Sequence, residues 1–167
     1  MQLAEFNQLA EPQAYRLLLQ CCTSERWAQQ LLLQRPFADI EQLKLQALAC
    51  WQDLTEADYL QAFDGHPKIG DITSLKAKYA NTAQLAGHEQ SAVAQANEQM
   101  LIQLKSLNDQ YLQRFGFIFI VFATGKSALQ MLELLTTRIN NSRAQELELA
   151  AIEQGKIFCL RLKKLFA

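Results

Sequence analysis

Phe115-Gly116-Phe117-Ile118-Phe119-Ile120-Val121-Phe122-Ala123-Thr124-Gly125-Lys126-Ser127 is the stretch on which the fold turns. It holds the longest apolar run of the chain, Phe115 to Ala123. A transmembrane helix needs about 20 such residues, so this run is too short to cross a bilayer. Periodicity does not separate a buried strand from extended backbone in so short a segment, and we read it as buried extended backbone. Gly116 is placed to stop a preceding helix. Ser127, with Gln130 three residues later, forms a capping box that opens the next one.

Outward from that stretch the pattern is helical. Apolar residues recur at spacings of three and four, and three prolines and six glycines are few for 167 residues. Upstream, a long helix is predicted from His88 to about Arg114. Downstream, one helix runs from Ser127 to about Ile139, and Asn141 or Ser142 opens the last, reaching Leu165. Nearer the N-terminus, Pro12 suits the first turn of a helix ending near Cys21, and a second spans Ser24 to Gln34 before Arg35 and Pro36. Asp39 with Gln42 begins a third through Leu54, and Thr55 caps a short one holding Tyr59, Leu60 and Phe63. A further helical stretch covers about Thr73 to Tyr79. The predicted fold is all-α, a single-domain bundle of seven or eight helices spanning residues 1–167.

Half the residues are hydrophobic, a fifth are charged, and the formal net charge is −1. That is the balance of one globular domain with a sizeable core. Acidic and basic residues are scattered, which gives no electrostatic footprint for nucleic acid or an anionic membrane. A small neutral or anionic ligand is the expected partner. The N-terminus lacks the layout of a signal peptide, and Leu165-Phe166-Ala167 is not the peroxisomal S-K-L address, so the expected location is the cytoplasm. Cys21, Cys22, Cys50 and Cys159 show no C-x-x-C spacing and read as reduced, core-packing thiols.

The chain has two histidines, so any histidine chemistry must use His66 or His88. His66 lies in Asp64-Gly65-His66-Pro67-Lys68-Ile69-Gly70-Asp71, a loop shaped by two glycines and a proline. Pro67 pushes the backbone of His66 away from the α region, and Gly65 and Gly70 permit tight turns. A histidine held in this way suits proton transfer near neutral pH; its bland alternative is a residue packed in a helix connection. His88 beside Glu89 suggests a zinc peptidase motif, but the second histidine would fall on Ala92, so no metal is expected. Glu89 is either a helix-dipole charge or a carboxylate aimed into a cavity. Thr124-Gly125-Lys126-Ser127 looks like the end of a phosphate loop, yet the required earlier glycine is Ile120. Free N–H groups around Phe119 to Ala123 could still meet an anion or a carbonyl. Arg161 is either a snorkelling surface residue or a guanidinium turned inward to hold a carboxylate. Arg138 reads as a structural ion pair or a helix C-terminal charge.

Taken together, four segments resemble one family, the decarboxylases of 2-oxo-4-hydroxy-4-carboxy-5-ureidoimidazoline (OHCU). They are Gly65-His66-Pro67-Lys68-Ile69-Gly70, His88-Glu89-Gln90-Ser91, Phe115 through Ala128, and Ile157 to Leu165. The resemblance implies cofactor-free loss of CO2 from OHCU to give (S)-allantoin in urate breakdown. It implies His66 as catalytic acid or base with Glu89 and Arg161 as partners. It further implies substrate contacts from Pro67, Gln90 and the main chain of Phe119, Ile120, Val121, Phe122 and Ala123, and a homodimer. One departure is Ala86, where the family often has a serine three residues before the glutamate.

The competing reading is a helical protein-binding module in which the His66 loop is only a connector. It would require an exposed apolar stripe and has no use for a histidine locked before proline. A metal-dependent hydrolase built on His66, His88 and Glu89 would instead lose activity to chelators.

Overall fold

The computed structural model describes residues 1–67, 72–79 and 90–167, with the backbone alone at 78 and 90–96. Among the described residues every regular element is helical: α1 (Leu3–Gln8), α2 (Glu11–Cys21), α3 (Glu25–Leu32), α4 (Ile40–Gln52), α5 (Glu56–Asp64), α6 (Ile72–Tyr79), α7 (Gln90–Phe115), α8 (Ala128–Arg138) and α9 (Arg143–Leu165). This is the all-α class the sequence predicts, with one helix more than the eight helical stretches it marks. The addition is α1, six residues whose single buried side chain is Phe6. So short a helix has little stability of its own. Packing of Phe6 on Phe37 and edge-on to Phe166, at 6.4 and 5.1 Å between ring centroids, holds it.

The helix starts are set by the side chains that the sequence marks. Ser24, Asp39, Thr55 and Ser127 each accept a hydrogen bond from the backbone N–H three residues on, and Thr55 and Ser127 close reciprocal boxes with Asp58 and Gln130. Ser142 opens α9 in the same way with Gln145. α7 ends at Gly116, whose φ of +80° is one that a Cβ disfavours. Residues 117–123 belong to no helix or strand, and Phe117, Phe119 and Ile120 in them are buried.

The chain divides into two compact units, one comprising Met1–His66, Ile120–Phe122 and Leu147–Ala167 and the other Pro67–Phe119 and Ala123–Glu146. In the first, Phe158 of α9 lies against Trp27 of α3 and Trp51 of α4, with ring centroids 4.9 and 5.6 Å away. Both indoles are satisfied, Trp27 donating to the Ala47 carbonyl and Trp51 to that of Ala151, each at 2.9 Å. α9 shows this core a stripe at four-residue spacing, Ala150, Gln154, Phe158 and Leu162, all fully buried. Cys21 and Cys22 are buried and Cys50 and Cys159 partly so, all four as free thiols.

In the second unit, Leu75, Leu101 and Ala128 form a core that Tyr79 and Met100 flank. Beside them Tyr111 packs on Phe115, Phe117 and Phe119. The carboxylate of Glu146 is fully buried and accepts from Tyr111 Oη at 2.7 Å, Arg138 Nε at 2.8 Å and Asn141 Nδ2 at 3.0 Å. Arg138 is thus the structural ion pair that its sequence position suggests, and its guanidinium also lies 4.6 Å from the ring centre of Phe119.

Candidate active site

His66 follows α5 directly. Gly65 closes that helix with its N–H on Ala62 and Phe63, and the His66 N–H donates to the Phe63 carbonyl at 3.1 Å. The role of Gly65 differs from the one the sequence suggests. Its φ of −73° is ordinary for any residue, so no unusual turn requires glycine here. Space does: a Cβ on Gly65 would come within 2.1 Å of Thr23 Oγ1. Thr23 is held in place by donating to the carbonyls of Gln61 and Ala62. Gly65→Ala is therefore expected to destabilise the protein by about 1–3 kcal/mol through overpacking. Adding Thr23→Ala, which removes the two nearest clashing atoms, should recover part of that loss in urea unfolding. Unchanged stability in the single variant would mean the contact relaxes freely.

The imidazole of His66 is half-buried, and its Nε2 lies 2.5 Å from Oε1 of Gln154 on α9. Gln154 is fully buried. Two turns on along the same face of α9 comes Arg161, since seven residues are close to two full turns. Arg161 is half-buried and donates through Nη1 to the carbonyl of Cys21 at 3.0 Å. Cys21 is the last residue of α2, so the guanidinium sits at the negative end of that helix. Of the two sequence readings of Arg161, the inward one describes it better, but its partner is a main-chain carbonyl. Among the described residues no carboxylate pairs with it.

Electrostatically the cluster keeps His66 neutral. Burial lowers its pKa below the ordinary 6.5 and the nearby Arg161 cation adds to that, while the hydrogen bond to Gln154 opposes them. Burial pushes the Cys21 thiol up to about 11 and the Cys22 thiol up to about 12, so neither supplies a thiolate near neutral pH.

The remaining predicted site residues are less closely joined. Pro67 is exposed directly after His66. Gln90 is the first residue of α7. Glu89 and His88 fall outside the described residues, as do Ala86 and Lys68 to Asp71 of the loop. Phe119 commits its ring to Tyr111 and Arg138, so only its main chain is offered to a ligand. Ile120 is buried, and Val121 and Ala123 are partly so. The N–H of Phe122 is already given to Glu153 Oε2 at 2.7 Å. A groove of about 390 Å³ along α8, lined by Lys126, Glu133 and Arg138 among others, contains none of the predicted site residues. Gln154 is the partner of His66 that sequence reasoning missed. The signal was a lone amide in the register of Ala150, Phe158 and Leu162.

Fold and cluster together define an all-α protein in which a histidine is hydrogen-bonded to a buried amide with an arginine acting on it. The comparisons with known proteins narrow that class. Residues 7–163 match the family description of OHCU decarboxylase, and the chain belongs to the OHCU decarboxylase family. It is 33% identical over 147 residues to the uric acid degradation bifunctional protein TTL of Arabidopsis thaliana, covering 88% of this chain and 45% of that protein. The chain thus spans less than half of that relative. Against the OHCU decarboxylase of Halalkalicoccus jeotgali it is 28% identical over 132 residues, 79% of this chain and 72% of the relative. A crystal structure of OHCU decarboxylase in the presence of (S)-allantoin superposes with a TM-score of 0.70 at 33% identity, over 89% of this chain and 95% of that one. One of (S)-allantoin synthase, at 18% identity and a TM-score of 0.73 over 100% of this chain and 54% of that one, shares the fold.

Proposed function

We propose that this chain decarboxylates OHCU to (S)-allantoin in urate degradation, with His66 as the acid–base residue. The observation that carries the reading is a neutral, half-buried imidazole beside a guanidinium that has no acidic partner among the described residues, in a chain of this family.

The chemistry needs little else. When the bond from the ring carbon to its carboxylate breaks, the electron pair moves into the neighbouring C=N bond of the substrate, whose nitrogen takes up a proton. The product of that step is CO2 and a planar ene-diamine that still bears the hydroxyl. Loss of the hydroxyl proton, with addition of a proton to the adjacent carbon, converts it to allantoin. Because the substrate supplies its own electron sink, the reaction requires no pyridoxal, thiamine or metal. His66 exchanges a proton with the hydroxyl as CO2 departs, and Arg161 engages an anionic oxygen of the substrate. Glu89 orients the imidazole or the substrate N–H groups. Pro67, Gln90 and the main chain of Phe119 to Ala123 contact the substrate, and protonation on a single face demands a water-poor surrounding.

The match over residues 7–163 runs through both compact units, which supports treating 1–167 as one functional domain. No described helix is long and apolar enough to cross a membrane. A cytoplasmic location is part of the reading. A homodimer remains part of the reading on family grounds.

The direct test supplies OHCU by treating urate with urate oxidase and hydroxyisourate hydrolase, then follows CO2 release with and without the protein. Acceleration is expected, and release at the spontaneous rate would refute the reading. The pH profile adds a second check. A base must be neutral, and the pKa of His66 is depressed, so kcat/KM should hold as pH falls past 6.5 and drop only through a midpoint below it. An acid limb centred above 6.5 would assign the proton transfer to another group.

A further inference from the structure

Gln154 is an uneconomical residue for its position. It lies fully buried in the stripe of Ala150, Phe158 and Leu162, where a leucine would fill similar space without a polar group to satisfy. One end of its amide is used, Oε1 against His66 Nε2 at 2.5 Å. The other end is not: among the described residues Nε2 finds no acceptor beyond the neighbouring Cys22 sulfur, which is at best a weak one. A buried donor left in this way costs stability, so the packing of α9 does not explain the glutamine.

The ring does explain it. An amide oxygen can only accept, so a neutral His66 facing it carries its proton on Nε2 and its lone pair on Nδ1. None of the described residues offers Nδ1 a hydrogen bond. We infer that Gln154 is a positioning residue for His66, fixing the Nε2–H tautomer and ring orientation so that Nδ1 is the nitrogen that exchanges the proton with substrate. When Nδ1 takes a proton, the same oxygen holds the Nε2–H of the imidazolium, favouring the charged ring that burial and Arg161 disfavour. Among the described residues, Arg161 of α9 is the charged group acting on His66. Cys21 and Cys22, at the end of α2, stay neutral over the working range.

This inference rests on the proposed role of His66 but can fail separately from it. The chain has only two histidines, so 15N imidazole spectra of the full-length protein are assigned by the signal lost in His66→Ala. The wild-type ring is expected as the Nε2–H tautomer, and Gln154→Leu should give a mixture of tautomers. Gln154→Leu should also lower kcat by about tenfold at unchanged KM, move the acid limb to lower pH, and leave the melting temperature equal or higher. Gln154→Glu keeps the acceptor and adds a charge, so it should restore the single tautomer and move the limb to higher pH. A purely structural glutamine would instead lower the melting temperature of Gln154→Leu and leave its pH limb in place, which would overturn the inference. So would an Nδ1–H tautomer in the wild type. If His66→Ala keeps stereospecific turnover, the catalytic reading falls while the tautomer result still stands.

Discussion

His66→Ala is expected to lower OHCU decarboxylation by about 100- to 10,000-fold, the range in which a positioned acid–base group contributes. The size follows from what the substitution removes and what it leaves. Arg161 keeps its bond to the Cys21 carbonyl, so binding of an anionic substrate should persist and the loss should fall on kcat. The half-buried ring is replaced by a methyl group at the end of α5, where the helix cap through Gly65 is untouched, so the fold should survive. Most residual product should then come from the spontaneous reaction in solution and be racemic, because a planar ene-diamine protonated by water has no preferred face. Rates measured beside chiral analysis separate this from partial unfolding, which would lower the amount of active protein without changing the product's handedness. Stereospecific turnover at the wild-type rate would remove His66 from the mechanism.

Glu146→Ala should cost about 3–5 kcal/mol of stability. The carboxylate is fully buried and gathers three donors, from Tyr111, Arg138 and Asn141. Its removal takes a counter-charge from Arg138, itself only 8% exposed, and the acceptor from a buried phenol. Burial together with that hydrogen bond to Glu146 raises the Tyr111 pKa, so the phenol remains a donor throughout the working range. Tyr111→Phe takes away one neutral donor and should cost only about 0.5–1.5 kcal/mol. Urea unfolding of the two variants measures the contrast. Equal losses would mean that the charge on Glu146 contributes nothing beyond one hydrogen bond.

What the sequence revealed was mostly local. Asp39, Thr55 and Ser127 could be read as caps because the bond each makes spans only three residues, and Gly116 could be read as a stop because its backbone conformation is its own. α1 was invisible, since Phe6 is fixed by Phe37 and Phe166, far away in the chain. Gly65 was seen as special for the wrong reason: a conformational need can be guessed from a loop, but a near contact with Thr23 cannot. Arg161 could not be oriented because apolar neighbours on both sides leave helical phase ambiguous. His66 stood out through its proline, whereas Gln154 carries no charge and sits in mid-helix. Only the apolar register around it marks the amide as buried.

The handedness of the allantoin is the most direct test of the central claim. OHCU generated in situ from urate should yield (S)-allantoin in excess by circular dichroism when the wild-type protein is present. Racemic allantoin, formed no faster than in protein-free solution, would contradict it.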